Sequence, residues 1–257
     1  MIHPTAIIDP GAKLDADVSV GPYSIIGAGV EVGAGTEIGP HVVLKGPMRI
    51  GRNNHIFQFC SLGEISQDKT AKVDDATAVE IGDGNTIREY VTIQRGTLKD
   101  TGITRVGNDN LLMNHVHIAH DCVVGDNVIL ANGTTLAGHV SIEDWVILGG
   151  ATLVHQFCQL GAHCFTAGGA VVLRDVPPYV MSEGQPASPR GVNKEGLRRR
   201  GFSAVQIEEV ESIYRLLYRS GKLMAEVKTT LAERAEASEI AAGMLAFLER
   251  SRRAIQR

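Results

Sequence analysis

Residues 20–39 read VGPYSIIGAGVEVGAGTEIG, and in this run Val20, Ile26, Val32 and Ile38 stand six positions apart, each followed by glycine. The spacing extends outward in both directions. Ile8 and Leu14 precede it in register, and Leu44, Ile50, Ile56 and Leu62 follow. It resumes at Ile81, Ile87 and Ile93, then runs from Val106 through Leu112, Ile118, Val124, Leu130, Leu136, Ile142, Leu148, Val154 and Leu160. Thr166 is an imperfect member and Val172 closes the series. A helix repeats every 3.6 residues and a strand every 2.0, so neither holds a phase of six. A coil of triangular section does hold it, because each side is one short strand and a turn, with one aliphatic residue pointing inward. Three sides make a coil of 18 residues, and successive coils stack as parallel strands roughly 4.8 Å apart. The expected fold is mainly β: a parallel β-helix of hexapeptide repeats, followed by an α-helical C-terminal domain.

The same ruler places the four cysteines. Cys60, Cys122, Cys158 and Cys164 each lie four positions after an inward aliphatic residue, the slot also held by Ala12, Ser24 and Thr36. They read as small interior fillers, with no CxxC pair for metal or redox work. Composition agrees with thin, repetitive layers: 44% of the 257 residues are apolar, only 5% are aromatic and 29 are glycine. The net charge of −4 gives no sign of nucleic-acid binding. There is no apolar run long enough for a membrane span, and the start MIHPTAIIDPGAKL lacks the features of a signal peptide. These features point to a cytoplasmic, reducing compartment.

The register breaks twice, over 63–80 and 94–105, and both stretches read as loops ejected from the prism. Loops on a rigid scaffold are where function concentrates. The prism is expected over 1–185. Its last stretch, RDVPPYVMSEGQPASPRG, reads as a linker because of Pro177, Pro178, Pro186 and Pro189. A helical domain is expected over 186–257, with Ser203 as an N-cap, Gly221 as a stop, and Val205, Val210, Ile213, Leu216 and Leu217 on one face. Two more helices are expected near 223–235 and 237–254. Residues 190–257 contain 14 Lys/Arg against 9 Glu and no Asp, so this tail is basic while the rest of the chain is acidic. A basic cap implies an acidic partner or an anionic substrate.

The stretch NHVHIAHDC (114–122) concentrates His115, His117 and His120 beside Asp121. Ile118, Leu136 and Val154 are 18 residues apart, so they occupy equivalent places in three successive coils. His120, His139 and His155 follow them closely and are expected on one edge of the prism, with His117 joining them. Two chemistries fit that spacing. Zinc would need three or four ligands converging at about 2.0–2.1 Å. A general base would use one histidine with an orienting carboxylate, which Asp121 supplies. A solenoid that only binds partners is the third reading.

The repeat resembles the hexapeptide-repeat acyltransferase superfamily, whose coils wind left-handed and which also includes metal-binding carbonic anhydrases. HIAHDC, LAGHV, HQFCQLGAH, DVPPYV and GVNKEGLRRRGF, in that order, resemble the UDP-N-acetylglucosamine acyltransferase family of lipid A biosynthesis over nearly the whole chain. That resemblance implies a homotrimer with sites between neighbouring prisms. The implied reaction transfers a 3-hydroxyacyl chain from acyl carrier protein to the glucosamine 3-position of a UDP-sugar, with no metal or cofactor and no covalent intermediate. By residue, it implies His120 as general base, Asp121 as its orienting group, and the Gly138 N–H as an oxyanion donor. His117, His139 and His155 would line the cleft. Gln156, Asn193, Glu195, Arg199 and Arg200 would contact the nucleotide and diphosphate, and Gly168 would leave room for the acyl chain. Two departures stand out. The family's first loop reads Q-D-L-K-Y, whereas here Gln67 and Asp68 are followed by KTAK, which leaves Lys69 and Lys72 as alternatives for the lysine. Gln94 replaces the family's histidine. Both changes leave open whether the acceptor atom is a hydroxyl or an amine.

Overall fold

Nearly every inward aliphatic residue of the six-residue series ends a strand of only two to four residues, as in Ile7–Ile8, Lys13–Leu14 and Ser19–Val20. Strands this short cannot persist alone. They are held because the backbone N–H and C=O groups of each coil pair with the next, as where His117 N donates to Thr134 O at 2.9 Å and Thr135 N to Thr152 O at 2.9 Å. The computed structural model describes residues 1–257. Its strands sort into three sheets, parallel throughout except for the last strand of the third. Face 1 has nine strands, from Ile7–Ile8 to Val171–Val172. Face 2 has eight, from Lys13–Leu14 to Gln159–Leu160. Face 3 has ten, beginning at Ser19–Val20. Registers follow the predicted spacing, with Ile118 beside Leu136, Leu136 beside Val154, and Val154 beside Val172.

The core is the axial stack of inward residues. Ile26, Leu44, Ile56, Leu62, Ile87, Ile93, Leu112, Ile118, Leu130 and Leu136 are almost fully buried, each worth about 1.5–3 kcal/mol in removal from water. The cysteines are buried and free. Burial pushes the thiols of Cys60, Cys122 and Cys158 up to about 12, and that of Cys164 higher still. Polar side chains also enter this small-residue slot. Asn54, Asn85 and Asn110 form a buried ladder in which Asn54 Oδ1 accepts from Asn85 Nδ2 at 2.9 Å, and Asn85 Oδ1 accepts from Asn110 N at 3.0 Å. Where face 3 turns into face 1, Tyr23, His41, Phe59, Tyr90 and His115 all take left-handed φ values. Their rings stack coil on coil at 4.8–5.4 Å.

Several boundaries differ from expectation. Strand Ser61–Glu64 pairs with Thr92–Gln94, and strand Ala78–Ile81 pairs with Ile103–Val106. The excursions therefore span 65–77 and 95–102 rather than 63–80 and 94–105. Their polar ends remain in the sheet because parallel pairing continues past the inward residue. The proline-rich stretch is no free linker: Val180–Gly184 joins face 3 beside Phe165–Thr166 and pairs antiparallel with Ala187–Val192. Four helices follow: α1 (Lys194–Arg199), α2 (Ala204–Tyr218), α3 (Met224–Ala235) and α4 (Glu239–Arg250). Ser203 caps α2 through a reciprocal bond with Gln206. Val205 faces solvent, and Ile207 takes its expected place on the buried face.

Candidate active site

At three successive coils the turn from face 1 to face 2 takes only four residues, and there it presents His120–Asp121, Gly138–His139 and Gln156–Phe157. Asp121 and His139 adopt left-handed backbone, with φ of 57° and 62°, to close their turns. The His120 and His139 rings meet edge to face, with centroids 5.0 Å apart. His120 Nδ1 lies 2.9 Å from Asp121 Oδ2. The Asp121 side chain is wholly buried and also accepts from Thr97 N at 3.0 and 3.1 Å and from Thr97 Oγ1 at 2.7 Å. Its own N–H donates to Thr104 Oγ1 at 2.9 Å. A carboxylate is an acceptor-only group, so His120 Nδ1 donates to it and the ring's lone pair lies on Nε2. Gly138 belongs beneath that ring, since a Cβ there would fall 2.5 Å from His120 Cε1. The Gly138 N–H makes no hydrogen bond within the chain.

Two of the expected histidines lie away from this turn. His117 is on face 1, one coil from Thr92, with its Nδ1 2.7 Å from Thr92 Oγ1, and burial lowers its pKa. His155 is exposed and bonds the carbonyl of Gln156 at 3.1 Å. The ring stacked on His139 is that of Phe157, at 4.5 Å, so the expected three-imidazole stack contains two imidazoles and a phenyl ring. The reason is phase. One residue past a strand still lies at the end of the face, whereas two and three residues past it form the turn.

Both ejected loops leave the prism at this same corner. In the first, Gln67 N donates to Gln94 Oε1 at 3.2 Å, which gives the buried Gln94 a structural partner. Asp68 pairs at 2.6 Å with Lys99 of the second loop, not with Lys69 or Lys72. Lys99 and Thr70 hold the Asp68 carboxyl well below the usual carboxylate range. Lys69 and Lys72 are exposed. Asp100 Oδ2 lies 2.8 Å from His139 Nδ1. Thr97, Lys99 and Asp100 were invisible as site residues in the sequence. Their partners lie 24 to 39 positions away, and no local pattern marks them.

Asn193, Arg200 and Gly168 occupy the other two corners. Asn193 caps α1, accepting from Gly196 N at 3.2 Å, and its Nδ2 donates to His163 O at 3.3 Å where face 2 turns into face 3. Arg200 donates to His163 Nδ1 at 2.9 Å and lies over Trp145 at 5.2 Å. Burial and the Arg200 charge lower the His163 pKa to about 4. Glu195 and Arg199 pair with each other on the exposed side of α1 at 3.1 Å. Gly168 lies in the turn from face 3 to face 1, where a Cβ would be 3.4 Å from Gly150 O. Within one chain, His120, the Arg200 cluster and Gly168 are therefore on three different corners. Gln156 is on the His120 corner, and its carbonyl accepts from Arg253 Nη1 at 3.2 Å.

His120, Asp121 and His139 also offer ligand atoms within 4.8 Å of one another, close enough for a divalent ion. The Asp121 oxygens are already taken by Thr97 and His120, which leaves two ring Nε2 atoms, fewer than the three or four ligands of a zinc site.

Comparison with known proteins agrees with this architecture. Residues 175–256 match the family described as Udp N-acetylglucosamine O-acyltransferase, domain 2, and residues 11–46 and 103–138 match the bacterial transferase hexapeptide (six repeats). The chain is 55% identical to the acyl-[acyl-carrier-protein]--UDP-N-acetylglucosamine O-acyltransferase of Janthinobacterium sp. (strain Marseille), covering 100% of this chain and 99% of that protein. It is 53% identical to the protein of the same description from Thiobacillus denitrificans, with the same coverage. Among solved structures, the Francisella novicida UDP-N-acetylglucosamine acyltransferase superposes with a TM-score of 0.98 at 42% identity, covering 100% of this chain and 94% of that one. The Moraxella catarrhalis UDP-N-acetylglucosamine O-acyltransferase superposes at 0.96 and 44%, covering 100% and 99%. Relatives this similar over their full length, on the same hexapeptide-repeat fold, show that the chain belongs to the UDP-N-acetylglucosamine O-acyltransferase family.

Proposed function

We propose that the protein transfers a 3-hydroxyacyl chain from acyl carrier protein to the 3-hydroxyl of the glucosamine in UDP-N-acetylglucosamine, the first step of lipid A biosynthesis. The observation that supports this best is the His120–Asp121 pair, with Nδ1 committed to a buried carboxylate and Nε2 left as the basic atom. In this reading Nε2 takes the proton of the sugar hydroxyl as its oxygen attacks the thioester carbonyl. The carbonyl oxygen gains charge and is met by the Gly138 N–H, a type of donor worth about 3 kcal/mol in the transition state. Collapse of the tetrahedral species breaks the C–S bond, and the imidazolium returns its proton to the departing thiolate. Thr97 holds the carboxylate, and Thr104 holds the Asp121 backbone N–H, throughout. The thioester is already activated, so no covalent enzyme intermediate is needed.

Three corners of one prism cannot face a single substrate, but corners of neighbouring prisms can. We therefore propose a homotrimer in which His120 of one copy faces a diphosphate site built from Asn193, Glu195, Arg199 and Arg200 of the next, with Gly168 along the acyl groove. His117, His139, His155 and Gln156 line the sugar side, together with Gln67 and Asp68 of the first loop. No helix is long and apolar enough to cross a membrane, and four free buried thiols suit the cytoplasm.

The test is His120→Ala, assayed with 3-hydroxyacyl carrier-protein donors and with UDP-sugars bearing a hydroxyl or an amine at the 3-position. The expected result is loss of at least about 10²-fold in kcat with an unchanged sedimentation profile. Near-normal turnover removes the base assignment, and a clear preference for the amine removes the hydroxyl as acceptor.

A further inference from the structure

We propose that Asp100 is a positioning residue for His139. It holds the imidazole in its Nδ1–H tautomer and so makes Nε2 a hydrogen-bond acceptor for a substrate N–H or O–H. The catalytic half of this inference rests on the function proposed above, whereas the tautomer half does not. The His139 ring is already fixed in orientation. Its face lies against Phe157 at 4.5 Å and 13°, its plane stands perpendicular to the His120 ring at 5.0 Å, and its backbone N–H donates to His120 O at 3.0 Å. Packing leaves one variable open, the nitrogen that bears the proton. Asp100 Oδ2 is 2.8 Å from Nδ1, whereas Asp121 Oδ2 is 4.0 Å away and already occupied. A neutral imidazole in water favours the Nε2–H form, and a carboxylate at Nδ1 reverses that preference. His120 and His139 thus form two adjacent histidine–carboxylate pairs. One carboxylate comes from the corner itself and the other from the ejected loop.

Asp100 is preorganised for this task. Its loop is anchored on one side by Thr97, which donates twice to Asp121, and by Lys99, which pairs with Asp68. Neither anchor involves the Asp100 side chain. Asp100 and His139 share a cleft of about 470 Å³ with Asp121, Phe157, Arg250 and Arg252. Arg250 is paired with Glu143 rather than with Asp100, and Asp100 is the carboxylate nearest the His139 ring.

The test combines long-range 1H–15N correlation spectra of the histidine rings with kinetics, both on the full-length protein, using His139→Gln to assign the signals. The wild type should show His139 protonated at Nδ1 and bare at Nε2, and Asp100→Ala should move the proton to Nε2. The same variant should lower kcat/KM about tenfold, and in a His139→Gln background it should change kcat/KM by less than about twofold. A wild-type Nε2–H tautomer overturns the proposal. So does a loss from Asp100→Ala that persists undiminished without His139, because that marks Asp100 as a loop-folding residue only. If His120→Ala remains active, the proposed reaction fails, but the tautomer measurement still decides the role of Asp100.

Discussion

The His120 ring of one coil rests on the bare backbone of Gly138 in the next, so closely that a Cβ on residue 138 would lie 2.5 Å from Cε1 and 2.6 Å from Nε2. The contact puts the basic nitrogen beside a free backbone N–H, and it forbids any side chain between them.

Gly138→Ala should therefore displace the His120 ring without unfolding the coil, because Gly138 is not among the glycines with left-handed φ. A displacement on the order of 1 Å at a reacting group costs about 10²-fold in rate. Steady-state kcat should fall by that amount while the melting temperature stays within a few degrees. Unchanged kcat would mean that the ring can move without consequence and is not the base.

Asp121→Asn places an amide where three donors converge. Its Nδ2 must face either Thr97 or His120 Nδ1, and in the second case the His120 proton is driven to Nε2, the atom that the proposed mechanism uses as base. The expected result is a fall of about 10³-fold in kcat with little change in the KM for the UDP-sugar. Loop 95–102 should also become more open to proteolysis as the Thr97 bonds weaken. Equal losses in kcat and in substrate affinity would point instead to a collapsed cleft.

His163 ties α1 to the prism through Arg200, and the bond requires a lone pair on His163 Nδ1. Burial first, and the Arg200 charge second, lower its pKa to about 4 from an ordinary value near 6.5. The unfolded chain therefore binds the proton more readily than the folded one. The stabilisation is fully present above pH 6.5 and is lost as pH falls through about 4, up to about 3 kcal/mol across that window. Burial lowers the His117 pKa and adds a contribution of the same sign. Melting temperature should rise from pH 4 to pH 6.5, and His163→Gln should flatten the slope. An unaltered slope in that variant would assign the pH dependence to other groups.

Legibility in the sequence followed the range of the forces involved. The inward residue every six positions, the small slot filled by Cys122 and Cys164, and the Ser203 cap all depend on neighbours within one turn or on burial alone. The spacing of Ile118, Leu136 and Val154 was therefore enough to lay out the prism and bring His120 near His139. The corner turns are sensitive to a shift of one residue, so spacing could not tell that His155 stays on the face and Phe157 takes its place beside His139. It could not show that Val180–Gly184 would join a sheet despite the prolines on either side of it, because that depends on an unpaired edge at Phe165–Thr166. Nor could it show that Thr97, Lys99 and Asp100 would return to Asp121, Asp68 and His139, since those contacts exist only once two loops leave the same corner. Local covalent geometry and hydrophobic burial determined the prism from sequence alone. Long-range hydrogen bonding between segments distant in the chain decided the finished site, because those contacts need the stacked coils to bring their partners together.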